Sequence, residues 1–421
     1  MSTRYATNVV HDHWTRATAI VTCVAWAIIA AAAPAGPWPQ ILGPDRSGKA
    51  TAERIVERLP AAGPKLLWQH PVGAGYAGPA VAGGRVIVFH RPNAHVVCEA
   101  LDAATGRPIW KRSFPTNYTG SIDPDNGPRC VPTIDRGTIY LLGADGALRA
   151  LALADGSQRW AVNIRQQFKA PEGYFGCGSS PLVDGDRLLV NVGARGAGIV
   201  AFSLADGRTL WKATDDAASY SSPVASSRGR HEVIFITREN AVGLDPASGK
   251  VRFQIPFGKR GPTVNAANPV VAGDHLFLSS NYGVGARWIN LQTAAPSVIW
   301  DNDELLSSQY TTSIEHRGVL YGIDGRQDVG VARLRAIDPA APKVLWTEEG
   351  FGTATLILAD GKLIIMKTDG TLVLARPSPK AFEPLGSVKL FDATVQALPA
   401  LSDGRFFARD TSTLKCYSLA R

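Results

Sequence analysis

LDAATGRPIW (101–110), LADGSQRW (153–160), LADGRTLW (204–211) and LDPASGKVRF (244–253) are four versions of one phrase. In each, a glycine stands four residues ahead of a large aromatic: Gly106 before Trp110, Gly156 before Trp160, Gly207 before Trp211 and Gly249 before Phe253. Trp68, Trp300 and Trp346 extend the series in both directions, so that large aromatics recur every 42 to 51 residues. A sustained period of that size marks a repeat architecture. Upstream of the phrase each unit carries a short alternating strand, often opened by proline, and then a second strand. Examples are PTIDRGTIYLL (132–142), PLVDGDRLLV (181–190), PV (223–224) and PVVAGDHLFL (269–278). Gly-containing pairs between the strands supply the positive φ that tight hairpins require. Four short antiparallel strands in about 45 residues make one propeller blade.

The units predict an all-β chain, an eight-bladed β-propeller with four antiparallel strands per blade. Seven blades begin near Ala77, Arg129, Gly178, Ser221, Ala266, Tyr310 and Gly352, and the last begins near Val395. The last holds only three strands. KLLWQHPV (65–72) at the other end of the chain supplies the fourth and closes the ring. Closure removes the unpaired sheet edge that an open ring would expose. The propeller then spans 64–421, after a lead-in at 36–63. Trp68, Trp110, Trp160, Trp211, Phe253, Trp300 and Trp346 are expected to wedge between neighbouring blades, because a large aromatic at a constant repeat position packs best at the joint.

Composition agrees with this reading. The 421 residues include 42 Gly and 28 Pro, and only 19% are charged. Long helices avoid Gly and Pro, whereas short strands and turns use them. Net charge is +8, but Lys and Arg are scattered with no run or basic stripe, so nucleic-acid binding is not expected. ATAIVTCVAWAIIAAAA (17–33) is an uncharged run between Arg16 and Pro34, barely long enough to cross a bilayer. Residues 1–35 therefore read as a signal peptide or a membrane anchor. Cys23 stands ten residues short of the end of that run, the wrong place for a lipid-bearing cysteine. Either reading places the rest of the chain outside the cytoplasm, in the periplasm or an equivalent space, with membrane proximity if the segment is retained.

The LDxxTGxxxW phrase with its proline-led inner strand resembles the pyrroloquinoline-quinone (PQQ)-like repeat over roughly residues 64–421. WPQILGPDRSG (38–48), GCGSSPLVDGDRLLV (176–190), SYSSPV (219–224) and GFGTATLILADGKLIIM (350–366) look like stretches of exported PQQ-like propellers similar to the outer-membrane assembly propeller lipoprotein group. That resemblance implies a scaffold that binds a protein or peptide partner through its loops. Quinoprotein alcohol dehydrogenases resemble the same fold. They hold PQQ and calcium in the central funnel with Glu, Asn and Asp around the metal, and many stack an adjacent Cys–Cys disulfide on the quinone. This chain has no adjacent cysteine pair, and no Glu/Asn/Asp set matches those motif positions. The expectation is an exported, non-catalytic scaffold with no cofactor assigned. PQQ and calcium belong only to the alternative, a PQQ-dependent alcohol dehydrogenase with a diverged site.

Local motifs reduce to structure. Gly73-Ala-Gly75-Tyr-Ala-Gly78 has dinucleotide-loop spacing, but Pro79 and a strand follow where a helix would be needed. Asp123-Pro-Asp125-Asn126-Gly127 lacks the spacing of a calcium loop and reads as an inter-blade turn. His70, His90 and His95 follow no metal-binding pattern. The candidate funnel-mouth residues, on the crossings from one blade's outer strand to the next blade's inner strand, are Arg129, Tyr174, Asp215, Asp216, Tyr220, Asn265, Asn268, Gln309 and Tyr310. Cys130 with Cys177, and Cys98 with Cys416, are candidate disulfides, since export permits them.

Overall fold

The computed structural model describes residues 1–3, 36–120, 122–226, 231–261, 263–293 and 295–421. The apolar run 17–33 lies outside the described residues. Residues 34–421 form one compact unit.

Eight four-strand meanders stand around a common axis, one per expected blade. Blade 1 consists of Ala80–Ala82, Arg85–His90, His95–Asp102 and Pro108–Pro115, paired antiparallel in sequence order from the inside out. The inner strands of blades 2 to 8 are Thr133–Asp135, Leu182–Asp184, Val224–Ser226, Val270–Ala272, Ile314–His316, Ala354–Ala359 and Ala400–Ser402. Blade 8 takes its outer strand from the start of the ring: Leu66–Pro71 pairs antiparallel with Thr413–Ser418. Closure thus joins the two ends of the propeller in one sheet, as the strand count requires.

The repeated phrase acts across the joint. The indole N–H groups of Trp68, Trp110, Trp160, Trp211, Trp300 and Trp346 each donate to a backbone carbonyl of the next blade, at 2.8–3.1 Å. Four of these rings lie on the turn glycine of that next blade: Trp68 on Gly106, Trp110 on Gly156, Trp160 on Gly207 and Trp211 on Gly249. These glycines have φ between +71° and +74°. A Cβ there would sit within 2.7 Å of the indole, so both the turn and the ring demand glycine. Phe253 is buried without a polar handle at the equivalent position.

Blade 7 has no such aromatic. Its outer strand, Glu383–Lys389, carries Leu385 and Gly386 instead, and the lead-in fills the place. Leu59 packs on Gly386 and donates its N–H to the Leu385 carbonyl at 3.1 Å. Ile55, fully buried, bridges to Ala420 beside it. The lead-in also crosses the axial end of the ring. Trp38 pairs with Val81 of blade 1, and the Pro39 carbonyl accepts from Ile134 of blade 2 at 2.8 Å. Lys49 meets Glu315 of blade 6 at 2.7 Å, and Lys49–Ala50 adds as a parallel strand to the inner strand of blade 7. Residues 36–63 are therefore a strap that closes one end of the ring.

The disulfide expectation is corrected. Cys98, Cys130, Cys177 and Cys416 are free thiols. Cys98 and Cys416 face different cores, one shared with Trp110 and the other with Trp68, because they point to opposite sides of blade 1. Cys130 directs its Sγ to the Cys177 and Ser179 carbonyls, at 3.5 and 3.4 Å, rather than to the second sulfur.

Candidate functional site

The two ends of the ring differ. At the strapped end, Arg46 carries its guanidinium into the interior and is only 2% exposed. It donates to the carbonyls of Ser180 and Pro223, at 3.2 and 2.8 Å, and to that of Pro181. Three carbonyls from the inner strands of blades 3 and 4 thus face one buried cation. Burial pulls Arg46 down to about 9, still charged at neutral pH. Just beyond it, small polar side chains tie the blades together around the axis. Ser222 Oγ accepts from Ser180 N–H, Asn268 Oδ1 from Ser222 N–H, and Thr312 Oγ1 from Asn268 N–H, at 2.9, 2.7 and 3.0 Å.

The opposite end, built from the blade-to-blade crossings, is an open mouth with its own chemistry. Tyr140, Tyr321 and Tyr417 lie in strands, while the other six described tyrosines, 76, 118, 174, 220, 282 and 310, lie on mouth loops. Three guanidiniums stack on three of them: Arg129 over Tyr76 at 4.7 Å, Arg238 over Tyr174 at 5.0 Å and Arg326 over Tyr282 at 4.4 Å. Tyr310 donates to Gln327 at 2.5 Å, and Gln309 bonds Tyr282 and Asp328 at 3.0 Å each. Burial pushes the Tyr310 phenol up, with Tyr76 adding to the shift from another blade crossing. Each tyrosine offers a rigid apolar ring with a polar tip, and each stacked arginine is held in place before any partner arrives.

The sequence-derived mouth residues divide into two groups. Arg129, Tyr174, Tyr220, Gln309 and Tyr310 belong to the mouth surface or its pocket. The others brace neighbouring loops. Asp215 accepts from Gly196 N–H at 2.6 Å. Asp216 bonds Thr237 and Asn240. Asn265, 3% exposed, donates to the carbonyls of Thr237, Arg238 and Phe257. Asn268 is part of the axial belt. Tyr76, Tyr118 and Tyr282 were missed, and so was Arg46. The tyrosines had a legible signal, since Tyr76 and Tyr118 sit on crossings like the residues that were chosen. Arg46, between Asp45 and Ser47, reads as an ordinary surface arginine and had none.

A cavity of about 370 Å³ opens at the mouth between blades 3 and 4, with Tyr174 and Tyr220 on its wall. Tyr220 accepts from Phe175 N–H at 2.7 Å, and burial pushes its phenol up to about 12. Cys177 is also on the lining, its thiol raised to about 12 by burial, so it is no nucleophile at neutral pH.

The remaining motifs are structural. Gly78 approaches the Leu398 carbonyl so closely that a Cβ would lie 2.2 Å away, and Gly73 and Gly75 meet Arg91 and Pro128 just as tightly. Asp123 and Asp125 are taken up by local N–H groups, by Tyr76 and by Arg129. His70 approaches Glu99 Oε1 at 3.1 Å across the seam between blades 8 and 1, and His90 approaches it at 2.9 Å from within blade 1. His95 is exposed at the start of the strand His95–Asp102. A quinone–calcium pair would need carboxylate and amide oxygens converging near the axis. Among the described residues no three His, Cys, Asp or Glu gather in a metal-holding group. The axial positions hold Ser180, Ser222, Asn268 and Thr312, with no carboxylate among them, and Asp123 and Asp125 at the mouth are held by Arg129. The residues present do not fit that pair.

An eight-bladed PQQ-like propeller, strapped at one end and rich in tyrosine and arginine at the other, is the class of protein defined here. The family profile described as outer membrane protein assembly factor BamB matches residues 52–171 and 97–348, and the chain belongs to that family. A curated relative, outer membrane protein assembly factor BamB of Burkholderia pseudomallei (strain K96243), is 24% identical over 77% of this chain and 85% of its own. The solved structure of BamB from Moraxella catarrhalis superposes with a TM-score of 0.62 at 15% identity, covering 84% of this chain and 97% of that one. The quinohemoprotein alcohol dehydrogenase of Comamonas testosteroni gives a TM-score of 0.66 at 15% identity, covering 93% and 82%. At such identities the structural likenesses show the fold alone.

Proposed function

We propose that this chain is an exported, non-catalytic scaffold that binds a protein partner in outer-membrane assembly, and that the mouth is its docking surface. One observation carries the reading: six of nine described tyrosines, three with stacked arginines, are gathered on one end of the ring. Tyrosine and arginine are the residues that most often anchor protein interfaces. The curated relatives are named as assembly factors, which supports a partner of that kind. The apolar run at 17–33 supports export.

Photo-crosslinking in cells tests this. A crosslinker at Tyr174 or Tyr310 should capture one discrete envelope protein. The same group at Ser248, on a turn at the strapped end, should not. Equal capture from both ends would sink the mouth as docking surface. Adding PQQ and calcium to the purified chain tests the alternative. Tight quinone binding with alcohol-dependent dye reduction would overturn the non-catalytic reading.

A further inference from the structure

Four blades carry a cation at one equivalent position. It lies on the third strand, one residue before the residue opposite the joint aromatic. The four are Arg149 in blade 2, Arg287 in blade 5, Arg335 in blade 6 and Lys415 in blade 8. Three of them lie over a phenylalanine at or just past the end of the preceding blade's outer strand. Arg149 covers Phe114 at 4.5 Å, Arg287 covers Phe257 at 5.5 Å and Lys415 covers Phe391 at 4.6 Å. Three of the four cations are also bonded. Arg287 meets Asp301, directly opposite on its own outer strand, at 2.8 Å. Arg335 meets Asp324 at 3.1 Å and donates to the Glu304 and Leu305 carbonyls. Lys415 donates to the Leu390 carbonyl at 2.8 Å. Arg149 is the exception. Ala161 stands opposite it, where Asp301 stands in blade 5, and among the described residues no hydrogen bond or ion pair reaches its guanidinium. Its nitrogens are all open to solvent.

Beside Ala161 lies a groove of about 490 Å³ on the flank of the ring, between blades 1 and 2. Thr116 and Asn117 line one side, and Asp145, Arg149, Ala161 and Asn163 line the other. The bare guanidinium sets the chemistry, because its planar fork of donors matches a carboxylate in two parallel bonds. Blades 5 and 6 supply that carboxylate from their own chain, and blade 2 does not. Asp145 has its oxygens taken by Thr116 Oγ1 at 2.9 Å and by Ala147 N–H at 3.1 Å. Its charge disfavours a doubly charged anion such as phosphate in the same groove. The strand Gln158–Asn163 is the outermost of blade 2, so one edge of its backbone is unpaired, and Ala161 is small and exposed. An extended chain can lie along that edge and place one side chain over Ala161. We propose that this groove docks an extended acidic segment of a partner protein, with one aspartate or glutamate carboxylate seated on Arg149 in the place that Asp301 fills in blade 5. This adds a second contact to the scaffold role and makes no use of the mouth.

The probes are two capped peptides, Thr-Val-Glu-Val-Thr and its counterpart with glutamine at the centre, with acetate and inorganic phosphate as small-anion comparators. Binding is followed by NMR through the Nε–H signals of the purified, arginine-labelled chain, and Arg149→Gln assigns the signal of Arg149. The glutamate peptide should bind saturably and move that signal. The glutamine peptide should bind about tenfold more weakly, the loss of one charge-assisted pair. Ala161→Asp should rebuild the pair of blade 5 and weaken the glutamate peptide by about tenfold, whereas Ala161→Asn, of the same size, should weaken it less. Ala161 is exposed on an edge strand, so its variants report even if Arg149→Gln disturbs the fold. The proposal is overturned if the glutamate peptide does not saturate, if the glutamine peptide binds equally well, or if Ala161→Asp binds as the parent or as Ala161→Asn does. Tighter binding of acetate or phosphate than of the peptide would overturn it too. The crosslinkers at Tyr174 and Tyr310 read the mouth alone, so failure of either experiment leaves the other standing.

Discussion

The strapped end and the open mouth are built on the same eight sheets, yet they solve different problems. At the strapped end the strap's own buried polar groups are bonded. Arg46 faces three carbonyls, Glu53 accepts the N–H groups of Asp403 and Gly404 at 2.8 and 2.7 Å, and Leu59 fills the joint that lacks an aromatic. At the mouth five of the six tyrosines are only partly covered, Tyr118 being the buried one. Burial with full satisfaction stabilises a fold. Partial burial leaves aromatic and guanidinium surface free for a partner.

That contrast can be broken by substitution, and the largest effect should come from Arg46. Arg46→Ala removes charge-assisted bonds to three buried carbonyls and should cost about 3–5 kcal/mol, read from the denaturant midpoint. A loss below ~1 kcal/mol would mean that the strap only rests on the ring. Leu59→Ala comes next, at about 2–3 kcal/mol, because it opens a cavity at the one joint without its own wedge. A neutral result there would show that blades 7 and 8 hold together unaided.

A pH titration probes the seam on the mouth side. The Gly73 N–H donates to His90 Nδ1 at 2.7 Å, so the ring must stay neutral to keep that bond. Burial holds His90 below its ordinary 6.5, with Arg409 and Lys111 pressing the same way, although Glu99 opposes them. The unfolded chain then takes up a proton that the folded one refuses. Stability should therefore fall as pH drops below about 6.5, until His90 itself protonates. Burial works against the Glu99 charge, but His90 and His70 hold its carboxyl below the usual 4.5. Its contribution is present above that value and is lost only as pH falls further. Melting temperature against pH should show the first slope in the parent and a flatter one in His90→Gln. Identical slopes would remove His90 from the account. The smallest change in stability belongs to the mouth itself. Tyr174→Ala should alter the midpoint by about 0.5 kcal/mol or less, as for other surface positions, while weakening partner capture. A cost near that of Leu59→Ala would place Tyr174 in the framework instead.

Much of this was legible in the chain. The Gly-to-aromatic offset of four recurs because each unit serves two joints, its glycine receiving the ring of the preceding blade and its own aromatic reaching toward the next. The tyrosines fell on the crossings, where side chains are free of the sheet alternation, and five of the nine chosen mouth residues belong to that surface or its cavity. The four that did not, Asp215, Asp216, Asn265 and Asn268, have the same polar character. They were absorbed by backbone groups and, for Asp216, by the Thr237 and Asn240 side chains, whose positions the sequence does not show. The cysteine pairs failed for a related reason. Placement in adjacent blades says nothing of which core Cys98 and Cys416 each face, nor that Cys130 turns its Sγ to carbonyls rather than to Cys177.

The sequence by itself determined the repeat, the blade count and the closure by residues 65–72, since each rests on periods of two and of about 45 that one chain carries in full view. Only the tertiary structure decided what residues 36–63 do. The strap has no repeat, and Arg46 gains its role from carbonyls about 135 and 177 residues away, which come together only when blades 3 and 4 stand side by side. The cavity is likewise a property of the assembled ring, because Arg165, Tyr174, Asn191, Tyr220 and Arg238 on its lining come from separate segments of the chain that meet only when the blades stand side by side.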